Sequence, residues 1–230
     1  MPRLILAACL GLFLLPATVT LAEDAPKLET PEQRASYAIG QQIGDNMKKQ
    51  GLDFIDDAAL ISGVRDALDG ADKKLTEEEI TKAFQVIQER VKAAAEAKAA
   101  KALEAGQAFL AKNKDADGVV TTESGLQYKI LTEGSGDKPA ATDQVQVHYE
   151  GKLLDGTVFD SSYARRAPAE FPVGGVIKGW IEALQLMPVG SIWEVYIPSE
   201  LAYGARGAGG DIGPNETLIF KVELIKIMEK

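Results

Sequence analysis

The sequence predicts an α+β fold: an all-α region and a long connecting helix, then an antiparallel β-sheet wrapped around one short helix. Three observations carry this. Apolar residues recur at helical spacing in the first half, and no proline falls between Ile80 and Lys112. After NKDADG (residues 113–118) the period switches to two, most plainly where Val145, Val147 and Tyr149 alternate with Gln146, His148 and Glu150. One short helical pattern, Trp180, Ile181, Leu184 and Met187, interrupts the strands and stops before Pro188.

In chain order, the N-terminus reads as a segment apart from the fold. Arg3 precedes an uncharged run over residues 4–15, Pro16 breaks it, and Thr20-Leu21-Ala22 supplies small residues before Glu23. That is the pattern of a cleaved secretory signal over residues 1–22. A retained anchor is the alternative, but the run is short for a span of ~20 residues, so the mature chain is expected to have no transmembrane span. Cys9 ends a lipoprotein-like Leu-Ala-Ala-Cys box, yet only five residues separate it from Arg3; the plainer reading is an apolar signal residue. Cleavage removes the one cysteine, so an exported chain would hold together by packing alone, which its length and 46% hydrophobic content permit.

Residues 23–75 form the predicted helical dimerisation region. Thr30-Pro31-Glu32-Gln33 is a capping box with proline at the first helical position. Tyr37, Ile39, Ile43 and Met47 then follow up to Gly51. Gly40 and Gly44 share a face and either admit a close helix or are simply tolerated. The second helix spans 57–68, capped by Asp56 or Asp57 and ended by Gly70, with Leu60, Ile61, Val64 and Leu68 on one face. Two short apolar helices bury little within one chain, which argues for a homodimer.

Residues 76–113 form the long helix, opened by a second capping box at Thr76 and Glu79. Ile80, Phe84, Ile87 and Val91 give it a packing stripe. Residues 93–102, AAAEAKAAKA, favour helix but offer no large side chain. They read as a semi-rigid solvated strut, with a disordered linker as the alternative. Residues 114–230 form the strand-rich domain, with turns at Ser124-Gly125 and Gly134-Ser135-Gly136 and late strands over 192–197 and 217–227.

The formal net charge of −9 argues against a nucleic-acid partner. With His148 the only histidine and no cysteine after residue 9, metal sites and Ser-His or Cys-His catalysis have almost no support, and no cofactor is expected. His148 lies on the strand face opposite Tyr149 and reads as structural. The glycine-rich run 204–213 lacks a following Lys-Ser/Thr or helix, so it reads as a loop near a pocket, not a nucleotide cradle.

Five spaced motifs remain: VQVHYEG (145–151), DGTVFDSS (155–162), VIKGW (176–180), LAYG (201–204) and IGPNETLIFKVEL (212–224). They resemble the FKBP-type peptidyl-prolyl isomerases over residues 122–230. SYAIGQQIGDNMKKQG (36–51) and LTEEEITKAFQ (75–85) resemble the helical domain of bacterial exported FKBPs, the macrophage infectivity potentiator-like and FkpA-like proteins. The resemblance implies a prolyl isomerase of the periplasm, outer membrane or cell surface. Its partners would be unfolded or partly folded proline-containing polypeptides and macrolide inhibitors, with chaperone activity as a dimer. A non-catalytic chaperone or adhesion module on the same fold is the alternative.

By the same resemblance Tyr149, Phe159, Asp160, Trp180, Tyr203 and Phe220 would be catalytic. Trp180 would be the floor, Tyr149, Phe159 and Phe220 the walls, and Tyr203 a hydroxyl donor. Phe171, Val176, Ile177, Ile212 and Arg165 would bind substrate, Ile177 through its N–H and Arg165 paired with Asp160. Two departures stand out: Ala169 replaces one of two neighbouring aromatics, and Gly213 replaces the first proline of IPPN.

Overall fold

The computed structural model describes residues 27–228. The signal reading over 1–22 and the weighing of Cys9 lie outside the described residues. The chain divides into two compact units, 1–46 and 47–230.

Helix α1, Pro31–Lys49, starts at the expected box: Gln33 N donates to Thr30 Oγ1 (3.2 Å), and Thr30 N donates to Gln33 Oε1 (3.0 Å). No residue of α1 is buried. Helix α2, Asp57–Asp69, takes Asp56 rather than Asp57 as its cap, through Ala59 N to Asp56 Oδ1 at 2.8 Å. Gly70 closes it in the left-handed region at φ 65°, where a Cβ would be costly.

Helix α3, Glu77–Asn113, runs 37 residues, on the order of 55 Å. Both halves of its capping box form: Glu79 N donates to Thr76 Oγ1, and Thr76 N donates to Glu79 Oε2. The alanine-rich stretch is helical throughout, but only its first part is a solvated strut. Residues 92–98 are exposed, whereas Ala99, Ala102, Leu103, Gly106, Phe109, Leu110 and Asn113 are at least partly buried. Spaced three and four apart, they form one face, and that face docks on the strand-rich domain. Phe109 meets the Tyr196 ring at 5.7 Å. Asn113 Nδ2 donates to Gln127 Oε1, and Gln127 Nε2 donates to the Leu110 carbonyl, both at 2.9 Å. These bonds match polar groups that the packing takes out of water, with Gln127 only 3% exposed.

The strands are β1 Val119–Thr121, β2 Gln127–Thr132, β3 Gln144–Lys152, β4 Val158–Ser161, β5 Ala169–Pro172, β6 Ile192–Ile197 and β7 Leu218–Ile227. They form one antiparallel sheet in the order β1-β2-β6-β7-β3-β4, with β5 also pairing β3. The alternation in β3 turns Val145, Val147, Tyr149 and Gly151 inward. Helix α4, Lys178–Leu186, buries Trp180, Ala183 and Leu184 with that face. Val195, Ile197, Leu218, Val222 and Leu224 complete the core. Each such aliphatic side chain contributes roughly 1.5–3 kcal/mol of burial. Among the described residues no helix is long and apolar enough to cross a membrane.

Candidate active site

β3 and β7 pair so that Gly151 faces Phe220 and Tyr149 faces Val222. A Cβ at Gly151 would come within 2.6 Å of the Phe159 and Phe220 rings, so only glycine lets these two aromatics close over the strand. Phe159 and Phe220 then meet edge to face, with centroids 5.5 Å apart.

Trp180 enters from the first turn of α4 and lies beneath them. Its indole meets Tyr149 at 5.3 Å and 89°, Phe220 at 5.3 Å and 83°, and Phe171 at 5.9 Å and 82°. Three T-shaped contacts on one ring fix its plane, each worth roughly 0.5–1.5 kcal/mol beyond area burial. The Trp180 Nε1 is buried and has no hydrogen-bond partner among the described residues.

These rings bound a cleft of about 620 Å³. Tyr149, Phe159, Asp160, Phe171, Val176, Ile177, Trp180, Tyr203, Ile212 and Phe220 all line it. Phe171, which has lost its usual aromatic neighbour at Ala169, still reaches the cleft from β5 and packs on Tyr149 at 5.9 Å. Ile177 stands at the N-cap of α4 with extended backbone (φ −62°, ψ 152°), so its N–H precedes the helix's own hydrogen-bond series. Tyr203 is 40% exposed at the rim.

Arg165 is the predicted residue that does not line the cleft. It stands beside it, donating to Asp160 Oδ1 and, at 3.0 Å, to the Tyr149 hydroxyl. Tyr149 donates that hydroxyl's proton to Asp160 Oδ2. Burial works to raise the Asp160 pKa, but the bonds from Tyr149 and Arg165 outweigh it and hold the carboxyl below its usual value. Burial, and then the Asp160 carboxylate, push the Tyr149 phenol up. At neutral pH the wall therefore carries an ionised Asp160 and a neutral Tyr149.

Sequence reasoning missed four lining residues: Gly175, Ala208, Gly209 and Asp211. The last three belong to the glycine-rich loop, which had been placed near a pocket only as a whole. Their position between Tyr203 and Ile212, both lining residues, was the available signal. His148 faces away from the cleft: its Nδ1 lies 2.9 Å from Ser162 Oγ, and its ring stacks on Tyr163 at 4.7 Å. Among the described residues no group of His, Cys, Asp and Glu could hold a metal ion.

Known proteins match this arrangement from end to end. Residues 136–225 match the family described as FKBP-type peptidyl-prolyl cis-trans isomerase, and residues 32–130 match the domain amino-terminal to it. The FKBP-type 22 kDa peptidyl-prolyl cis-trans isomerase of Escherichia coli is 50% identical, over 88% of this chain and 98% of its own length. The outer membrane protein MIP of Legionella longbeachae is 47% identical, over 98% and 97%. The crystal structure of FkpA from Escherichia coli superposes with a TM-score of 0.64 at 38% identity, covering 86% of this chain and 97% of that one. With both domains matched in order and half of the residues shared with a relative over nearly its full length, the chain belongs to the FKBP-type peptidyl-prolyl cis-trans isomerases.

Proposed function

We propose that the aromatic cleft is where this isomerase turns X–Pro bonds, with exported, partly folded polypeptides as its substrates. The observation that carries the reading is the Trp180 floor, held edge-on by Tyr149, Phe171 and Phe220. It offers a flat apolar surface of the size and character a pyrrolidine ring needs.

The reaction asks little else of a protein. Resonance sets a rotation barrier of ~18–20 kcal/mol, while the two X–Pro ground states differ by only about 0.5–1 kcal/mol. No bond to carbon is made or broken, so no nucleophile is required. The catalyst must favour the twisted amide over both planar forms, and each tenfold gain needs ~1.4 kcal/mol of that preference. Withdrawal from water disfavours the planar, charge-separated amide. Trp180, Val176 and Phe171 grip the ring while the preceding carbonyl turns toward the edges of Tyr149, Phe159 and Phe220. The Ile177 N–H and the Tyr203 hydroxyl hold the chain on either side of the ring, and Ile212 closes the rim. Asp160, kept ionised and oriented by Tyr149 and Arg165, acts on the polarised carbonyl carbon.

Purified wild type, Asp160→Ala, Trp180→Ala and Phe220→Ala should be compared on a proline tetrapeptide, with a macrolide inhibitor as control. We expect Trp180→Ala and Phe220→Ala to lose about tenfold or more in kcat/KM. Unchanged rates in all three folded variants would sink the assignment.

The wider reading is a dimeric chaperone-isomerase. Ile39 on α1, Leu68 on α2 and Phe84 on α3 are 58%, 83% and 63% exposed, large apolar side chains that a partner surface would cover. A second copy covering these faces would bring two clefts to one client. The signal-like N-terminus and the outer membrane protein named among the relatives support an exported location.

A further inference from the structure

The loop between Tyr203 and Ile212 forms one rim of the cleft, and it is closed at its neck by a single residue. Asn215 N donates to the Gly204 carbonyl at 2.9 Å, joining the position after Tyr203 to the third position after Ile212. Asn215 adopts φ 60°, a left-handed conformation that asparagine tolerates better than other non-glycine residues. Its side chain then reaches out of the loop. Asn215 Nδ2 donates to the Ala99 carbonyl of α3 at 3.2 Å. A carbonyl in mid-helix already accepts from the N–H four residues on, and its second lone pair takes this bond.

The helix is built to receive the loop there. Ala99 and Ala102 present methyl groups, so the loop backbone can approach the helix backbone. One turn further, Gly106 has no Cβ, and one placed there would overlap Thr217 Oγ1 and lie 3.2 Å from Thr217 Cβ. Thr217 is buried against that gap, two residues after Asn215. The small-residue face of α3 is therefore a rail on which residues 213–217 sit.

We propose that Asn215 is a positioning residue for the isomerase, clasping the rim loop to α3 so that the helix sets how Tyr203 and Ile212 meet the bound peptide. This rests on the cleft being the isomerase site. It assigns the alanine-rich segment a part in substrate fit. A rim carried by a rigid helix holds its geometry better than a loop tied only to itself.

The test uses the full chain and the same tetrapeptide. Asn215→Gly still admits the left-handed backbone and keeps its N–H; it removes the clasp and adds backbone freedom to the loop. Gly106→Ala disturbs the rail from the helix side, touches no cleft residue, and improves helix propensity. We expect both variants to raise KM about threefold or more while kcat stays within about twofold, the signature of altered ground-state fit. A merely structural role would lower the melting temperature and leave both constants of the folded protein unchanged. Wild-type KM in both variants overturns the proposal. So does a shift in Asn215→Gly alone, because loop flexibility would then explain it without the helix. Should Asn215→Gly fail to fold, Asn215→Asp, which lacks the donor, replaces it under the same two criteria. Phe220→Ala, run alongside, separates the failures. Its loss of activity beside unchanged Asn215 and Gly106 variants overturns the clasp alone, and unchanged rates throughout overturn the clasp together with the cleft.

Discussion

Gly151 shows how much a single position can decide. The Phe159 and Phe220 rings occupy the space that any side chain there would need. Gly151→Ala is therefore expected to splay the two walls, destabilise the protein by about 1–3 kcal/mol, and cut kcat/KM about tenfold or more. Denaturant titration and the tetrapeptide assay together read both effects. Asp160 makes a prediction of opposite kind. Its folded-state pKa lies below the ordinary 3.8, so its contribution to stability is fully present above that value and is lost as pH falls through the folded pKa. Asp160→Asn should melt below wild type at pH 7, and the gap should close as the pH drops under 3.8. A gap that stays constant to pH 3 would show that the carboxylate's charge is irrelevant to the fold. Both pairing side chains are more than a third exposed, so added salt should narrow the difference at neutral pH. Tyr149, Phe159, Trp180, Tyr203 and Phe220 were legible in the sequence because each sits in a motif of recognisable spacing; Phe171 falls between two motifs and was placed by the family resemblance alone. Ala208, Gly209 and Asp211 were not, because a glycine-rich loop carries no side-chain pattern that says which of its residues face inward.

At the scale of elements, the helices were legible from their ends. Thr30, Asp56 and Thr76 each satisfy orphan N–H groups that only a helix start creates, and Gly70 closes α2 in the one conformation that suits it. Strands β3, β6 and β7 were legible from their period, and β3 buries every second residue as its alternation requires; the four-residue β4 and β5 were too short to show one. Helix α3 exceeded what its sequence announced. Ala99, Ala102 and Gly106 look alike to any hydrophobic pattern whether they face water or a neighbouring backbone. Leu103, Phe109 and Leu110 were the large clues to docking, and the Phe109 ring covers Tyr196. Phe109→Ala should cost roughly 1–2 kcal/mol for a half-buried aromatic. It should also loosen the end of α3, seen as faster amide hydrogen exchange over residues 106–113 with little change over β3 and β7.

The whole molecule poses the question of what covers its apolar helices. Ile43 on α1 and Leu68 on α2 are 43% and 83% exposed, and α1 buries no residue at all. If a second copy covers them, Ile43→Asp with Leu68→Asp should sediment as a monomer where wild type sediments as a dimer. The double variant should keep its rate on a tetrapeptide, which needs one cleft, and lose rate on a refolding protein, which two clefts would bracket. A monomeric wild type would remove the bracket.

By itself the sequence determined the α+β class, the family, the order of the helices and longer strands, and which aromatic side chains line the cleft. Caps, periods and spaced motifs are local signals, and they survive without knowledge of the fold. Only the tertiary structure decided that Asn215 bridges the rim to Ala99, and that the alanine face of α3 is a docking surface. Each of these turns on how closely two backbones approach. Small side chains permit such an approach without leaving a pattern in the sequence from which to foresee it.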